Sequence, residues 1–501
     1  MNRISLAFAI AATVAAASAH AQTYTAPSSS QTPYLVPAAP GVTTISILTA
    51  GDSVNNRPDG TPYRMAGIPD GLGAFDNDDG TFTVLMNHEI PATSSIVRAH
   101  GGTGAFVSKW IVNKDSFEVV RGDDLIQHAY GWSGTQWAPL TGSALNFARF
   151  CSADLPEVSA FFDRETGRGT RERIFMNGEE TGVEGRAFAH VVTGDFAGKT
   201  YDLPWLGRFS WENSVAKPRT GARTVLVGLD DGTGGQVYVY VGDKTDAANP
   251  VEAAGLTNGK LYGIKIGAGA FAETNSTVVA DGTRFSLAEL GDVANLTGAQ
   301  LETLSGLKQV ANMARPEDGS WDPTNPAAFY FATTASFTGI SRVWKLEFDN
   351  AADVLKGGTV RVVTQSPAYD VANPAGPRML DNLTVSRKGQ VIAQEDVGNQ
   401  PYIGSVWQID PVSGTTAKLA QHDPARFTPG APGFLTQDEE SSGVIQLKGI
   451  LGESWFLIDV QSHRPLGTDL YEDGQLLAIK IPQRKSDKRE KDGESEQSGK
   501  D

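Results

Sequence analysis

Cysteine is almost absent: one residue, Cys151, in a chain of 501. No intramolecular disulfide can form, so the fold has to be held by packing and hydrogen bonding, and a lone thiol is either buried and inert or bound to something. Net positive charge is missing too. The formal charge is −16, a surface that repels phosphate backbones and excludes a nucleic-acid partner. After the first residues no run is long and apolar enough to cross a bilayer. Helix-patterned stretches are few. The sequence also lacks a G-x-S-x-G elbow, a P-loop Gly-Lys-Ser/Thr and an H-E-x-x-H pair, and its Gly-rich patches lack the strand-to-helix context of a dinucleotide site. Serine-type hydrolysis and nucleotide-binding folds are therefore poor readings.

What is present begins with Met1–Ala21. Arg3, an apolar run and Ala19-His20-Ala21 form the charge, core and cleavage pattern of a secretory signal, with a Sec-type character. The protein is expected in the periplasm or secreted, free of the membrane once the signal is cleaved. Residues 22–40, rich in Ser, Pro and Thr, read as an extended lead-in, and 41–483 as one domain. Residues 484–501 carry balanced acidic and basic charge and nothing apolar, the composition of a solvated disordered tail.

Gly is plentiful, at 55 residues, and the apolar runs are short and separated by turn dipeptides. A unit of strand, polar turn and second strand with a polar or acidic end recurs six times: Asp70–Glu89, Cys151–Glu180, Glu212–Asp231, Arg315–Thr334, Asp381–Asp396 and Glu439–Gln461. Alternating segments such as "GKLYGIKI" and "GQLLAIKI" supply third strands. The fold expected is all-β, a six-bladed β-propeller. A pair of β-sandwiches explains the shared strand endings less well. One helical insertion is expected at about 285–313, where Leu301, Leu304, Leu307 and Val310 keep helical spacing.

In a propeller the start of a blade's first strand and the end of its second lie on one face, around the channel. That places His88, Glu89, Cys151, Glu179, Glu180, Glu212, Asp230, Asp231, Arg315, Glu317, Asp381, Glu395, Asp396, Glu439, Glu440, Asp459 and His463 in one candidate ring. Each of these types alone is more often a turn, cap or ion-pair residue; their common phase carries the inference. So many facing carboxylates call for multivalent cations. Oxygen donors suit Ca²⁺, while a thiolate and an imidazole suit iron or zinc. Arg315, the strongly basic member, suits an anion such as phosphate.

These motifs, "NHE" at Asn87–Glu89, Cys151 upstream of "NGEE", Glu212 before Asp231, "RPE" at Arg315–Glu317 and "EESSG" from Glu439, resemble the PhoX-type bacterial alkaline phosphatases in order and spacing. The longer run between Cys151 and Glu180, and Trp211 in place of a histidine, mark a divergent member. The resemblance implies a monomeric exported propeller that hydrolyses small phosphate esters with Ca²⁺ and Fe³⁺. It makes Cys151 an iron ligand and Glu180, Glu212, Asp231, Glu317 and Glu440 ligands of iron or calcium, with Glu89 and Glu179 further metal candidates. Arg315 would hold the phosphate, with His88 beside it. The alternatives are another propeller hydrolase, such as a calcium-dependent phytase or a lactonase, and a calcium-stabilised binding protein without catalysis.

Overall fold

A computed structural model describes residues 21–93, 96–368, 370 and 375–482. The signal segment up to residue 20 and the charged tail lie outside the described residues.

The strands form a six-bladed β-propeller with a small helical insertion. In the first blade Pro69–Asp76 is innermost, followed outward by Thr81–His88, Phe106–Asn113 and Val119–Asp124. The second blade opens on an irregular inner segment, joined by the bridges Phe150↔Glu179 and Asp154↔Met176 to the strand Ile174–Gly178. Trp211–Ala216, Pro316–Trp321, Leu380–Val385 and Glu439–Gln446 are the inner strands of the remaining four. Gly71 has a packing reason: a Cβ there would lie 2.4 Å from the Ala153 nitrogen, so only glycine lets the first two blades approach at the axis.

Alternation builds the blades into layers. Phe106–Asn113 buries Phe106, Val107, Ser108, Trp110 and Val112, and the apolar members pack against neighbouring sheets. Large aromatics fill the space between blades. Trp344, fully buried, stacks on Phe331 with ring centroids 6.1 Å apart. Burying such a side chain is worth about 2–3 kcal/mol, so truncating one opens a costly void.

Three features were not legible in the sequence. The third and fourth blades share one nine-stranded sheet, because Arg284–Gly291 pairs with Gly358–Gln365. That strand occupies the start of the stretch expected to be helical, and the helix itself is Gly298–Leu307, opened by a Thr297/Gln300 capping box. The lead-in is also structured: Gln22–Thr25 and Leu35–Pro37 add outer strands to the sixth and fifth blades. Finally, Thr43–Thr49 pairs with Tyr471–Lys480, so an early strand completes the sixth blade and closes the ring. No helix among the described residues is long and apolar enough to cross a membrane.

Candidate metal centre

The six inner strands or segments each bring one ligand-type side chain to the same level near one mouth of the channel: Asp70, Cys151, Glu212, Glu317, Asp381 and Glu440. All are buried. Two backbone devices aim them. Pairing of the inner strand with its neighbour shifts register at Asp70/Leu72, Trp211/Ser214, Pro316/Gly319 and Leu380/Leu383, and a bulge at the ligand position turns the side chain from the sheet toward the axis. Two residues before the ligand, four blades carry a non-glycine residue at positive φ: Ile68 (43°), Arg149 (45°), Arg315 (61°) and Met379 (43°). Such a conformation costs about 1–3 kcal/mol and is least tolerated by a β-branched residue such as Ile68.

Ligand atoms gather in three overlapping groups, Asp70–Glu89–Cys151, Cys151–Glu180–Glu212 and Glu212–Glu317–Asp381, each with its atoms within 4.8 Å of one another. The groups share Cys151 and Glu212, so they form an arc spanning five blades. Burial, and then neighbouring carboxylates, push Glu212 well above the usual carboxylate range, and the same causes raise Asp70, Glu317 and Asp381. Burial, reinforced by Asp70, Glu212, Glu89 and Glu180, raises the Cys151 thiol. Glu212 Oε1 and Asp381 Oδ1 are buried with no hydrogen-bond partner among the described residues. Orphaned carboxylate oxygens in a dry site are costly unless a cation completes them.

The donor set fits metal. The thiol-containing groups suit a transition metal, and the all-oxygen group Glu212–Glu317–Asp381 suits a hard cation. The backbone beneath is braced: Asn87 Nδ2 donates to the Cys151 carbonyl at 2.7 Å, and Asn177 Nδ2 to Asn87 Oδ1 at 2.9 Å. His190 Nε2 lies 2.7 Å from Asn177 Oδ1, and burial lowers this imidazole to about 3, so it is neutral and donates there. The amides that end two second strands therefore hold Cys151 rather than ligate.

Of the sequence candidates, Glu89, Cys151, Glu180, Glu212, Glu317 and Asp381 are brought together in the arc. Asp231 sits at its edge in a two-pronged pair with Arg315, whose Nε and Nη2 each donate at 2.8 Å. Glu440 lies outside the three groups but is close enough to raise both Asp70 and Asp381, and His463 Nε2 is 3.9 Å away. Of the ring residues also expected to hold metal or substrate, two are not delivered, and Glu395 and Glu439 likewise stay outside the arc, accepting from the Arg378 and Gly404 backbone nitrogens. His88 is fully enclosed within its blade, stacked on Phe106, with Nδ1 3.0 Å from the Gly67 carbonyl and Nε2 2.9 Å from Ser108 Oγ. Burial lowers it to about 3, so it is a neutral core histidine and has no route to a substrate. Glu179 turns away from the arc into a two-pronged pair with Arg186, at 2.6 and 2.7 Å.

Sequence reasoning missed Asp70 and Arg149. Asp70 opens the first repeat in the same phase as Glu212 and Asp381, so the shared phase could have found it. Arg149 carried no motif at all. Its side chain pairs with Glu89 (2.7 Å) and with Glu180.

Fold and site together define an all-β propeller with a buried carboxylate and thiol arc beneath surface guanidinium groups at one channel mouth. No protein-family model and no curated protein matches the chain. Among solved structures it is similar in fold to Pseudomonas fluorescens PhoX in complex with vanadate, a transition state analogue: TM-score 0.64, 13% identity, 89% of this chain and 97% of that one covered. A putative 6-phosphogluconolactonase from Bacteroides uniformis (TM-score 0.31, 12% identity, covering 78% and 94%) and a Trypanosoma rangeli sialidase (0.36, 11%, 88% and 58%) align too loosely to carry an argument.

Proposed function

We propose that the protein is an exported, metal-dependent phosphatase that hydrolyses phosphate esters at this mouth. The observation that carries the reading is Arg315, held over the orphaned carboxylates. Its Nε and Nη2 are spent on Asp231 and Glu317, its side chain is 32% exposed, and Nη1 makes no hydrogen bond among the described residues. The likeness in fold to a structure holding vanadate supports it.

Asp70, Glu89, Cys151, Glu180, Glu212, Glu317 and Asp381 would hold the ions, Fe³⁺ on the thiol side and Ca²⁺ on the oxygen side, with Glu440 flanking. When bound, such ions supply Lewis-acid polarisation of phosphoryl oxygens. The chain's own part is orientation. Asp231 and Glu317 fix the guanidinium plane, so Nη1 meets an incoming phosphoryl oxygen without paying side-chain entropy at that moment. Arg315 then stabilises the charge that builds on the equatorial oxygens in the transition state.

Arg315→Ala should lower turnover of a phosphate monoester about 100- to 1000-fold while the iron and calcium content stays that of the wild type. A mature protein loaded with iron and calcium that turns over no phosphate ester sinks the reading. Calcium bound without iron, and no turnover, would make it a binding protein.

A further inference from the structure

Arg149 and Arg315 occupy equivalent places. Each stands two residues before an inner-strand ligand, Cys151 or Glu317, and each adopts positive φ. Each lies across carboxylates from two adjacent blades: Arg149 across Glu89 and Glu180, Arg315 across Asp231 and Glu317. The same nitrogens are spent in both. Arg149 uses Nη2 on Glu89 and Glu180 and Nε on the Glu180 carbonyl (3.1 Å), and its Nη1 makes no hydrogen bond among the described residues. The guanidinium side chains are 45% and 32% exposed, whereas their partners Glu180 and Glu317 are 12% and 2% exposed. An anion arriving from solvent therefore meets the two guanidinium groups before the carboxylates.

The two pairs overlook one patch. Glu180, partner of Arg149, shares a ligand group with Glu212, which shares the next with Glu317, partner of Arg315. Glu180 is also close enough to Asp231 and Glu317 for their charges to act on one another.

Resting on the phosphatase reading, we infer that Arg149 is a second phosphoryl-positioning residue, gripping through Nη1 the same phosphoryl group that Arg315 holds from the other side. Two guanidinium groups oppose a dianionic oxyanion better than one, and the strained backbone at both positions fixes where they stand. Each charge-assisted hydrogen bond is worth about a tenfold change in affinity or more. Because the grip serves ground and transition states alike, its loss appears mainly in KM.

The test is orthovanadate binding, by calorimetry, to metal-loaded wild type, Arg149→Gln, Arg149→Lys and Arg315→Ala, with iron and calcium content and kcat and KM on one phosphate monoester measured alongside. The inference expects Arg149→Gln to weaken vanadate at least about tenfold and raise KM similarly, with unchanged metal content and little change in kcat; Arg149→Lys should recover part of the loss. Vanadate affinity equal to wild type in either folded variant overturns it. So does a loss that tracks lost metal, since Arg149 would then act only through Glu89 and Glu180. If Arg149→Gln does not fold, Arg149→Lys decides alone: it keeps the charge but not the fixed fork, and wild-type affinity there overturns the two-sided grip. A wild type that binds no vanadate overturns it as well, and the turnover assay shows separately whether the phosphatase reading has fallen too.

Discussion

The same six inner strands or segments end in two different chemistries. At the far mouth they surround a cavity of about 440 Å³ whose walls include Asp154, Glu157, Lys217, Trp321, Asp322 and Arg387. There most charges are settled within the chain, although burial raises Asp154, which has only the Ala216 N–H at 2.9 Å, to about 7. Asp322 accepts from the Thr324 and Asn325 nitrogens at 2.7 and 3.1 Å, and Glu157 takes Arg387 at 2.9 Å and Arg219 at 3.6 Å. Lys217 donates to the Pro326 carbonyl at 2.6 Å over the Trp321 ring. At the near mouth, Glu212 and Asp381 keep buried oxygens that nothing in the described chain satisfies. Burial alone therefore does not distinguish the two ends. One end pairs most of its charges within the chain and the other gathers many carboxylates short of positive charge.

The contrast breaks most readily at Glu212, which belongs to two of the three ligand groups. Glu212→Gln should release metal and cut phosphate-ester turnover by at least about 100-fold, more than is usual for a residue that merely supports a ligand; elemental analysis and kinetics check it. If metal and turnover both survive, the near mouth is not the metal end.

A second effect is read in pH, and most of it belongs to the near mouth, because the far mouth contributes Asp154 alone among its buried carboxylates raised to about 7. Near-mouth carboxylates are raised by burial, Asp230 and Asp396 to about 7, and Asp70, Glu212, Glu317 and Asp381 also well above the usual carboxylate range. A carboxyl whose folded pKa exceeds its unfolded value stabilises fully below the unfolded pKa and loses that contribution as pH rises through the folded one. The metal-free protein should therefore melt at progressively lower temperature from about pH 5 to about pH 8, and loading with calcium and iron should flatten the profile. A metal-free profile that rises over this window contradicts the assignment.

The smallest effect belongs to the far mouth. Glu157→Gln removes a half-exposed partner of two arginines and should change stability by about 0.5 kcal/mol or less in denaturant melts, with metal content unaltered.

How much of this could be read from the sequence depends on what sets each feature. Six blades were legible because strand period and turn chemistry are local, and the ring followed because all six repeats share one phase. Side-chain direction at a strand end is not local. Glu179 and Glu180 are neighbours, yet one pairs with Arg186 and the other joins Cys151, because successive residues of an extended chain face opposite ways. His88 was placed at the mouth for its position but lies within the sheet for the same reason. The bulge that turns Asp70 toward the axis leaves no mark in "DGLG", and Arg149 gains its meaning only from carboxylates about 60 and 31 residues away in the chain.

Ring closure also governs when the site can exist. Gln461, from the sixth blade, donates to Asp70 at 2.8 Å and Glu89 at 3.1 Å, both from the first. The sixth blade is itself completed by Thr43–Thr49 pairing with Tyr471–Lys480. The arc's first members thus take their final places only after almost the whole chain has been made and the sixth blade has closed. Occupancy of the centre is then a proof of completion: a chain cut short before Tyr471 keeps every ligand of the arc, and Gln461 too, but lacks the strand pairing that closes the sixth blade.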